Sequence, residues 1–570
     1  MIRPLKPSEN ASGTFTVCDI ENYPDGSLLT IDTAWREDGG GIEHTTYYDW
    51  HDWFRWVSNK AIHDKRFRRI YAHNGGGWDW LSLADWILRN KTDCRMSIAS
   101  ACSRMIALRV HINKKCTIWL CDSVQLLRSS LDILAKKFLG YGKVDLKGKL
   151  PHEVYQQNPE KFMEYVHRDT ETLLLVLEKA LKLIRERVAK IDTLGVTIGS
   201  TALKVFRTIG IDKPISIPTD NRVKSFLRKA YKGGRVEVFR YGYYPRIIVY
   251  DVNSLYPYIM KTCKVPISSR GFWTDKYIPD TCGAYEIEFY QSRRDIPPVF
   301  MIDGDGVYEG RGYYFAPEIR TLLKYDPLAT INVIRGYCFI DSATLFASFV
   351  DRLYNLRLED RDGPVSLLAK YLLNSCYGKF GQHSEKETVE YGLGTEDIEA
   401  MVSKGIPVRP ISIDSGVFGV TRSLECSFEH VGIAGTITAE ARAYLYGTMA
   451  QLPRASIVYC DTDSIHTIAS IDNGLVGEKL GQYKQEFSGE GVYVAKKVYA
   501  LRCGRDQKIR CKGVSVGGKF GSRLSFDDIL EISEGKEITC QFQKPTTIIG
   551  VLKGQRACVF SNRVRTVRKV

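Results

Sequence analysis

The chain has 570 residues, of which 44% are hydrophobic and 26% are charged; this balance excludes a disordered chain, and the length favours roughly two to four domains. Lys and Arg number 80 and Asp and Glu number 66, so the net charge of +14 favours a polyanionic partner, nucleic acid before a membrane. No uncharged apolar stretch reaches the roughly 18 residues that a membrane-spanning helix needs, which argues against a protein of that class.

The first half of the chain predicts strands followed by a long helix. Gly39-Gly40-Gly41 is typical of a hairpin tip. Asn158 and Pro159 predict the N-cap and first turn of an amphipathic helix that runs to about Lys190, and residues 191–245 predict a connector. Three shorter stretches predict strands: 14–20, 68–72 and 117–121.

The second half begins at Arg246 with a strand-rich region and ends in a basic tail. Residues 541–570 carry seven Lys or Arg and no Asp or Glu, which favours a nucleic-acid contact over a merely solvated face. Between these two regions the patterns predict, in order, short strands and turns at 264–345, a helix at 345–380, a polar and irregular segment at 381–428, a helix at about 436–451 and a hairpin at 455–468.

The cysteines and the first residues bear on the cellular compartment. The 15 cysteines are odd in number and scattered, and none forms a Cys-x-x-Cys pair. They predict reduced thiols, with a structural zinc site as the less favoured alternative. The first residues lack the apolar core of a signal peptide. We therefore expect a cytoplasmic protein that is neither secreted nor bound to a membrane.

Three acidic segments in the first half suggest a metal site. Asp19 and Glu21 are at i and i+2 of a predicted strand and share a face, while a glycine-rich segment leads to Asp79. On the long helix, Tyr165 and Asp169 are at i and i+4 and also share a face. Each segment alone fits a capped turn or a solvated face. Together they predict a carboxylate cluster, whose mutual repulsion a divalent cation such as Mg²⁺ would relieve.

A second constellation lies in the C-terminal half. The apolar strand that begins at Arg246 ends in Asp251, and the predicted hairpin carries Asp461-Thr462-Asp463 at its tip. Two strand ends bearing acids can hold two metals about 3.5–4 Å apart, the arrangement for in-line phosphoryl displacement. Between them, Lys370, Asn374 and Tyr377 are at i, i+4 and i+7 of a helix. That face suits a triphosphate, a sugar and a base, although an ordinary amphipathic helix would look the same.

In chain order, these segments resemble the motifs of the family B DNA polymerases. The N-terminal acids are similar to the three motifs of the family's proofreading exonuclease, and Tyr231–Arg235 resembles the Tyr-x-Gly-Gly motif that joins the two domains. Four further segments resemble polymerase motifs: Asp251–Pro257 (motif A), Lys370–Gly378 (motif B), Tyr459–Ser464 (motif C) and Lys497–Tyr499 (Lys-x-Tyr).

The resemblance implies an α+β multidomain fold, with an RNase H-like exonuclease domain followed by a right-hand polymerase domain of palm, fingers and thumb. The expected bounds are 1–190 for the exonuclease domain, 191–245 for the connector, 246–515 for palm and fingers, and 516–570 for the thumb and basic tail.

The short chain and the Val252-Asn253 pair within motif A resemble the protein-primed branch of small tailed bacteriophages and linear plasmids. That branch carries a terminal-protein-binding insertion, for which 270–345 has room, and a second insertion for strand displacement and processivity, expected at 381–428. A primer-independent relative would look similar, so both modes of initiation stay open.

The exonuclease motifs depart from the family pattern in two places. Three glycines separate Asn74 from Trp78-Asp79, one more residue than usual; a flexible loop can absorb it. Asp122-Ser123-Val124 resembles the branch's single-strand-binding motif with Val in place of Leu. The exonuclease lysine is either Lys143 or Lys147.

For the polymerase, the resemblance implies two Mg²⁺ ions, replaceable by Mn²⁺. Asp251, Val252 and Asp463 would hold them and Asp461 would support them. Lys370, with Arg357 or Arg361, would neutralise the triphosphate. The other substrate contacts would come from Leu255, Asn374, Tyr256 beneath the sugar, where it rejects a 2′-hydroxyl, and Tyr377 against the nascent pair.

For DNA and for the exonuclease, the resemblance implies further roles. Asp19, Glu21 and Asp169 would bind two metal ions together with Asp79, and Tyr165 would orient a water. The DNA contacts would be Asn74 and Ser123 on the single strand, Lys497 and Tyr499 on the primer terminus, and Tyr231, Gly233, Gly234 and Lys512 elsewhere.

Three functions follow from this reasoning. The leading one is a monomeric, proofreading DNA polymerase that acts on primer-template DNA, single-stranded DNA and deoxynucleoside triphosphates, with a terminal protein as a further partner if priming uses one. The second is an exonuclease whose C-terminal half only binds DNA. The third, a non-catalytic basic DNA-binding protein, explains the charge but not the acidic clusters, which weaken DNA binding unless metals occupy them.

Overall fold

A computed structural model describes residues 1–10, 15–101, 104–413, 416–423, 428–517 and 521–569. The N-terminal region alternates strands and helices: β1 (Thr16–Asn22), β2 (Leu28–Arg36), β3 (Ile42–Tyr47), α1 (Trp50–His63), β4 (Arg69–Ala72), α2 (Asp79–Arg89), β5 (Arg95–Ala101), β6 (Arg104–Asn113), β7 (Cys116–Asp122), α3 (Leu131–Leu139), α4 (Pro151–Gln157) and α5 (Pro159–Leu183). The three predicted strands are β1, β4 and β7; residue 14 of the first lies outside the described residues.

The middle of the chain is richer in short strands. Its elements are α6 (Ile198–Ile209), α7 (Asn221–Ala230), β8 (Val236–Val238), β9 (Gly242–Val252), α8 (Leu255–Thr262), β10 (Val265–Pro266), β11 (Gly271–Thr274), β12 (Gly283–Tyr290), β13 (Phe300–Ile302), β14 (Asp305–Val307), β15 (Glu309–Phe315), α9 (Ala316–Tyr325), β16 (Thr330–Phe339), β17 (Ser342–Ala343), α10 (Ala347–Glu359) and α11 (Pro364–Cys376).

The remaining elements complete the second half. They are β18 (Glu385–Tyr391), α12 (Thr395–Ser403), β19 (Val408–Ser412), β20 (Val417–Ser423), α13 (Val431–Met449), β21 (Ile457–Asp461), β22 (Ser464–Thr467), β23 (Tyr483–Ala495), β24 (Val498–Cys503), β25 (Asp506–Cys511), α14 (Phe526–Ser533), β26 (Ile538–Pro545), α15 (Ile548–Leu552) and β27 (Phe560–Val567).

One large sheet, here called the N-terminal sheet, organises the first region. Its strand order is β19-β20-β18-β5-β6-β7-β4-β1-β2-β3, and β4 runs parallel to both β1 and β7. Successive side chains of β1 point to opposite faces. Val17 packs in one core with Leu173 and Leu177 of α5, while Ile20 packs in another with Trp53. Asp19 and Glu21 therefore lie on the face that α5 covers.

The expectation of an irregular segment at 381–428 was wrong. Within its described part, which omits residues 414–415 and 424–427, three strands and one helix form, and β18 pairs antiparallel with β5, placing Val389 opposite Ile98. Tyr391 and Val417 enter the same core as Ile98. Because the outward-facing side chains of these strands are polar, the hydrophobic pattern of the segment does not indicate its pairing with β5.

Helix boundaries were predicted better where a cap marks them. Asn158 accepts a hydrogen bond from the Lys161 N–H at 2.9 Å and begins α5 as expected. The predicted helix at 345–380 is two helices, because the turn between α10 and α11 is closed by Asp360, whose Oδ2 accepts from the Val365 N–H at 2.8 Å. Helix α13 begins at Val431, earlier than predicted.

A second sheet, here called the C-terminal sheet, has the order β25-β24-β23-β9-β22-β21-β8. It brings β9, which ends in Asp251-Val252, beside the β21–β22 hairpin, which was predicted at 455–468. A four-stranded sheet, β11-β16-β12-β15, fills much of the stretch predicted as short strands and turns.

The C-terminal segment returns to the N-terminal region. The Ala557 N–H donates to Asp85 Oδ2 at 2.9 Å, and the rings of Trp78 and Phe560 lie 5.8 Å apart. In the β26–β27 hairpin, Arg563 and Arg565 are exposed. The basic tail thus combines a packed segment with an exposed cationic strand.

All cysteines that the structure describes are free, and most are buried. Over the same part of the chain, no helix has both the length and the apolar character that crossing a membrane demands.

Candidate active sites

The predicted N-terminal acids converge between β1 and α5. Carboxylate oxygens of Asp19, Glu21 and Asp169 lie within 4.8 Å of one another; these three residues are here called the N-terminal acidic cluster. The Tyr165 hydroxyl donates to Glu21 Oε1 at 2.9 Å. Asp19 and Glu21 share one face because side chains alternate along β1. Tyr165 and Asp169 share one face of α5 because they are four residues apart.

Burial and mutual repulsion act together on this cluster. Burial is the largest cause that raises the pKa of Asp19 well above its usual range, and the nearby charges of Asp79 and Glu21 raise that pKa further. Burial also raises the pKa of Glu21 and of Asp169. An all-oxygen donor set whose charges are poorly compensated fits a hard divalent cation such as Mg²⁺.

Lys143, and not Lys147, lies at the cluster. Its Nζ is 2.5 Å from Asp169 Oδ2, and this ion pair raises the pKa of Lys143 although burial opposes it. The side chain of Lys147 is exposed in the loop, where its backbone N–H donates to Asp145. The sequence spacing did not distinguish the two lysines, because the irregular loop before α4 decides which one points inward.

Asp79 is beside the cluster but turned toward the backbone of β1. It is buried at the first position of α2, and its Oδ1 accepts from the Ile20 N–H at 3.0 Å. The preceding glycines allow this approach. A Cβ on Gly76 would lie 1.9 Å from the Met105 carbonyl oxygen, so this position requires glycine. The altered second motif therefore still delivers its acid to the same sheet edge.

The expected single-strand contacts have partners that the sequence did not reveal. Arg104 donates to Asn74 Oδ1 at 2.8 Å and to Asp122 Oδ2 at 3.0 Å. Ser123 Oγ lies 2.9 Å from His73 Nδ1. An isolated Arg or His carries no signature in a sequence, so only the fold shows that these side chains orient the predicted contacts.

In the C-terminal sheet, Asp251 and Asp463 come together from distant stretches of chain; they are here called the C-terminal acidic pair. Ser464 lies opposite Asp251 in the β22–β9 ladder, and the Val252 N–H donates to the Asp463 carbonyl at 2.9 Å. Burial, then the neighbouring Asp463, raises the pKa of Asp251 to about 7. Burial raises the pKa of Asp463 to about 6. Both carboxyls fit a divalent cation by the same reasoning.

Asp461 has different partners. Its carboxylate lies 3.2 Å from Lys497 Nζ and accepts from the Tyr459 hydroxyl at 3.2 Å. Thr462, between the two acids at the tip of the hairpin, has a left-handed φ of 64°. Glu486, which the sequence motifs did not single out, raises the pKa of both members of the C-terminal acidic pair.

A flat aromatic and cationic surface adjoins the acids. The rings of Tyr256 and Tyr377 are stacked, with centroids 4.7 Å apart. Lys370 and Asn374 are exposed on the same face of α11. Leu255, in contrast, is 1% exposed, so only its backbone can face a substrate.

Arg357 and Arg361 differ in position. Arg357 Nη1 donates to Ser254 Oγ at 2.9 Å, and Ser254, inside motif A, is the N-cap of α8 with a φ of 56°. Arg361 is exposed in the turn after α10. Arg357 is therefore the arginine that the fold ties to motif A.

The residues expected at the primer terminus line one cavity. Its volume is about 350 Å³, and its walls include Lys497, Tyr499, Lys512 and Asp461. The Lys512 N–H donates to the Lys497 carbonyl at 2.9 Å, which links the two lysines. Motif resemblance placed Lys497 and Tyr499 together at the primer terminus; the β24–β25 pairing brings Lys512 close to them.

The Tyr-x-Gly-Gly segment is held by a buried arginine. Arg442 of α13 donates to the carbonyls of Lys232 and Gly233 at 2.8 and 2.6 Å and forms a buried ion pair with Glu318 at 2.9 Å. A Cβ on Gly234 would lie 2.8 Å from Thr462, so glycine lets the segment approach motif C. Tyr231 packs against Gly381 at the end of the motif B region.

Comparison with known proteins shows what this chain is similar to. A family model described as DNA polymerase type B, organellar and viral, matches residues 156–428. Over these residues the chain is similar to the type B DNA polymerases of phages and organelles. The match includes motifs A and B and ends before motif C.

Curated relatives of this chain come from phages and fungi. The DNA-directed DNA polymerase of Enterobacteria phage PRD1 is 28% identical over 78% of this chain and 76% of its own length. The DNA polymerase of Bacillus phage Nf is 27% identical over 66% of each. A probable DNA polymerase of Podospora anserina is 26% identical over 69% of this chain, which spans only 39% of that longer relative.

Solved structures confirm the expected fold class. Phi29 DNA polymerase complexed with primer-template DNA and incoming nucleotide is 18% identical, with a TM-score of 0.71 over 97% of this chain and 99% of that one. The orthorhombic crystal form of the same polymerase gives a TM-score of 0.70. The fold is therefore α+β and multidomain, as expected, and it follows that of the phi29 polymerase along nearly the whole chain.

Proposed function

We propose that the chain is a DNA-templated DNA polymerase that extends a primer 3′-hydroxyl, and that its N-terminal domain is a 3′–5′ proofreading exonuclease. One observation carries the polymerase assignment: the β22–β9 ladder unites the C-terminal acidic pair beside the stacked Tyr256 and Tyr377. The phage relatives named as DNA polymerases support it.

Mg²⁺ bound at this site would neutralise the triphosphate and lower the pKa of the primer hydroxyl. Asp251 and Asp463 would hold the ions, with the Val252 backbone and Asp461 in support. Lys370 and Arg357 place positive charge where the triphosphate must lie. The remaining groups position the substrates: Tyr256 under the sugar, Tyr377 and Asn374 toward the nascent pair, and Lys497, Tyr499 and Lys512 along the primer.

For proofreading, Asp19, Glu21 and Asp169 would hold the ions while Asp79 supports β1. Tyr165 would orient the attacking water, since its hydroxyl already binds Glu21. Lys143 would balance the charge of Asp169. Asn74 and Ser123 would receive the frayed strand, while Tyr231, Gly233 and Gly234 would guide DNA between the two sites.

The simplest test is primer extension by the purified full-length chain in Mg²⁺. We expect template-directed incorporation on a primed strand and degradation of a single strand. Degradation without incorporation would instead favour the second candidate, an exonuclease whose C-terminal half only binds DNA.

We further propose protein priming and strand displacement as in the replication of linear viral or plasmid genomes, with domain bounds near 190, 245 and 515. The four-stranded sheet inside 270–345 and the strands inside 381–428 are the compact additions that such roles would use. A linear template with a candidate terminal protein, compared with oligonucleotide-primed and no-primer reactions, tests this. Synthesis without any primer would favour a primer-independent polymerase.

The Tyr256→Val variant tests the proposed sugar contact. Removing the ring from its stack on Tyr377 opens space where a 2′-hydroxyl would lie. We expect the ratio of ribonucleotide to deoxynucleotide kcat/KM to rise roughly tenfold or more, measured by single-nucleotide insertion. Tyr258→Val, on the same helix but packed against Tyr444, is the matched control. An equal change in both variants would contradict the assignment.

The raised pKa values predict a pH-dependent metal requirement. Asp251, with a pKa of about 7, and Asp463, with a pKa of about 6, must lose their protons to bind Mg²⁺. As the pH falls from 7 to 6, protons compete more strongly, and we expect the Mg²⁺ concentration for half-maximal extension to rise roughly tenfold. The primer-template Kd at each pH serves as the control. A requirement that does not change with pH would contradict the prediction.

A further inference from the structure

A second group of side chains that can act as metal ligands lies next to the N-terminal acidic cluster, one strand further toward the sheet edge. It consists of Asp32 on β2, His44 on β3 and His167 on α5, and one ligand atom from each lies within 4.8 Å of the others. This group, here called the His-Asp-His cluster, has no place in the motifs or in the proposed reactions.

The sheet and the helix direct these side chains to one point. Asp32 lies opposite Asp19 on one side and Thr46 on the other, so all three project to the face that α5 covers. On α5, His167 lies between Tyr165 and Asp169 in sequence but on another face.

Asp32 is a buried carboxylate with unusual partners. It is fully buried, and within the described residues its ion-pair contacts are both histidines: His44 Nδ1 at 3.0 Å and His167 Nε2 at 3.7 Å. Buried charges in proteins are normally paired or bound to metal. Because a histidine is charged only when it is protonated, neither partner is a permanent cation.

The distances match those of a metal site. With bonds of about 2.0–2.1 Å, two ligand atoms of a tetrahedral zinc ion lie about 3.3 Å apart, between the two values observed. The hydroxyls of Thr46 and Thr170 both donate to Asp32, as outer partners do when they orient a ligating carboxylate. The His167 side chain is 41% exposed, which gives solvent access to a further coordination position.

We propose that the His-Asp-His cluster binds a Zn²⁺-class transition-metal ion that fastens the β2–β3 hairpin to α5. The two imidazoles favour Zn²⁺ over Mg²⁺, which prefers an all-oxygen set. The ion would therefore be distinct from those of the N-terminal acidic cluster. Because His167 lies between Tyr165 and Asp169, the ion would also fix the position of the helix that carries them. The inference does not depend on the polymerase assignment.

The test measures zinc retained by the full-length chain. Protein is incubated with Zn²⁺ in excess Mg²⁺, which occupies the carboxylate sites, then passed through gel filtration and analysed by mass spectrometry of the metal. We expect about one zinc per chain in the wild type, and its loss in the His44→Gln/His167→Gln variant.

Two control variants test whether the other acidic groups bind the zinc. His51→Gln alters an exposed Asp49, His51 and Asp52 group, and Asp19→Asn alters the N-terminal acidic cluster; both should retain the ion. Cobalt substitution should give the visible absorption of an imidazole-ligated site only where zinc is retained. Saturating Zn²⁺ should raise the Tm by about 2–4 °C in the wild type and not in the double-histidine variant.

Equal zinc content in the wild type and the double-histidine variant would overturn the proposal, and so would loss of zinc on His51→Gln or Asp19→Asn. Primer extension and far-UV circular dichroism of the zinc-free double-histidine variant show that it is folded. A folded variant that loses zinc supports the proposal; a wild type that never retains zinc shows that the cluster is a hydrogen-bonded network only.

Discussion

The Asp463→Asn variant should lose nucleotide addition while it still degrades single-stranded DNA. The amide keeps the shape of the side chain and the backbone bond from Val252 but removes the charge that would hold a catalytic ion. Loss of such an electrostatic contribution costs about a thousandfold in kcat. Extension of a labelled primer in Mg²⁺ measures the effect, and 5′-labelled single strands measure the second activity.

The matched control is Asp506→Asn, an exposed acid in the same sheet at the β24–β25 turn. It should extend primers at the wild-type rate. Synthesis retained by Asp463→Asn would remove Asp463 from the polymerase site, and equal loss of both activities would indicate misfolding instead of a local charge effect.

The converse variant, Asp19→Asn/Glu21→Gln, should lower the rate of single-strand degradation about a thousandfold and leave primer extension intact. Both acids belong to the N-terminal acidic cluster, and their amides leave the β1–β2 pairing in place. The variant should also extend mismatched primer termini that the wild type removes, which a gel assay with a mispaired 3′ end detects.

Glu43→Gln is the matched control for this variant, because Glu43 is an exposed acid on β3 of the same sheet. It should degrade and extend DNA as the wild type does. If Asp19→Asn/Glu21→Gln still degraded single strands, the nuclease site would lie elsewhere; if it also lost extension, the variant would be misfolded and the loss would not be a local charge effect.

The sequence predicted those parts of both sites that local periodicity determines. Alternation on β1 places Asp19 and Glu21 together, and the N-cap at Asn158 sets the phase of α5 and hence the face of Asp169. Motif C was predicted as a hairpin because apolar strands flank a short acidic turn.

Features that depend on contacts between segments far apart in the chain could not be predicted from the sequence. The segment around β18 looked irregular because its partner, β5, lies far away in sequence. Lys143 was indistinguishable from Lys147 until the loop was folded. Arg442 and Arg104 act by donating to specific carbonyl and amide oxygens, and no spacing rule marks such residues.

The continuous hydrogen bonding from β18 to β5 bears on how the molecule can be divided. A fragment ending near residue 190 would leave β5 as a bare edge strand, with unpaired N–H and C=O groups that invite aggregation. Ala557 and Phe560 would be missing from their places beside Asp85 and Trp78. Grafting this N-terminal domain onto another scaffold, or expressing it by itself, would therefore mean carrying along strands encoded hundreds of residues downstream.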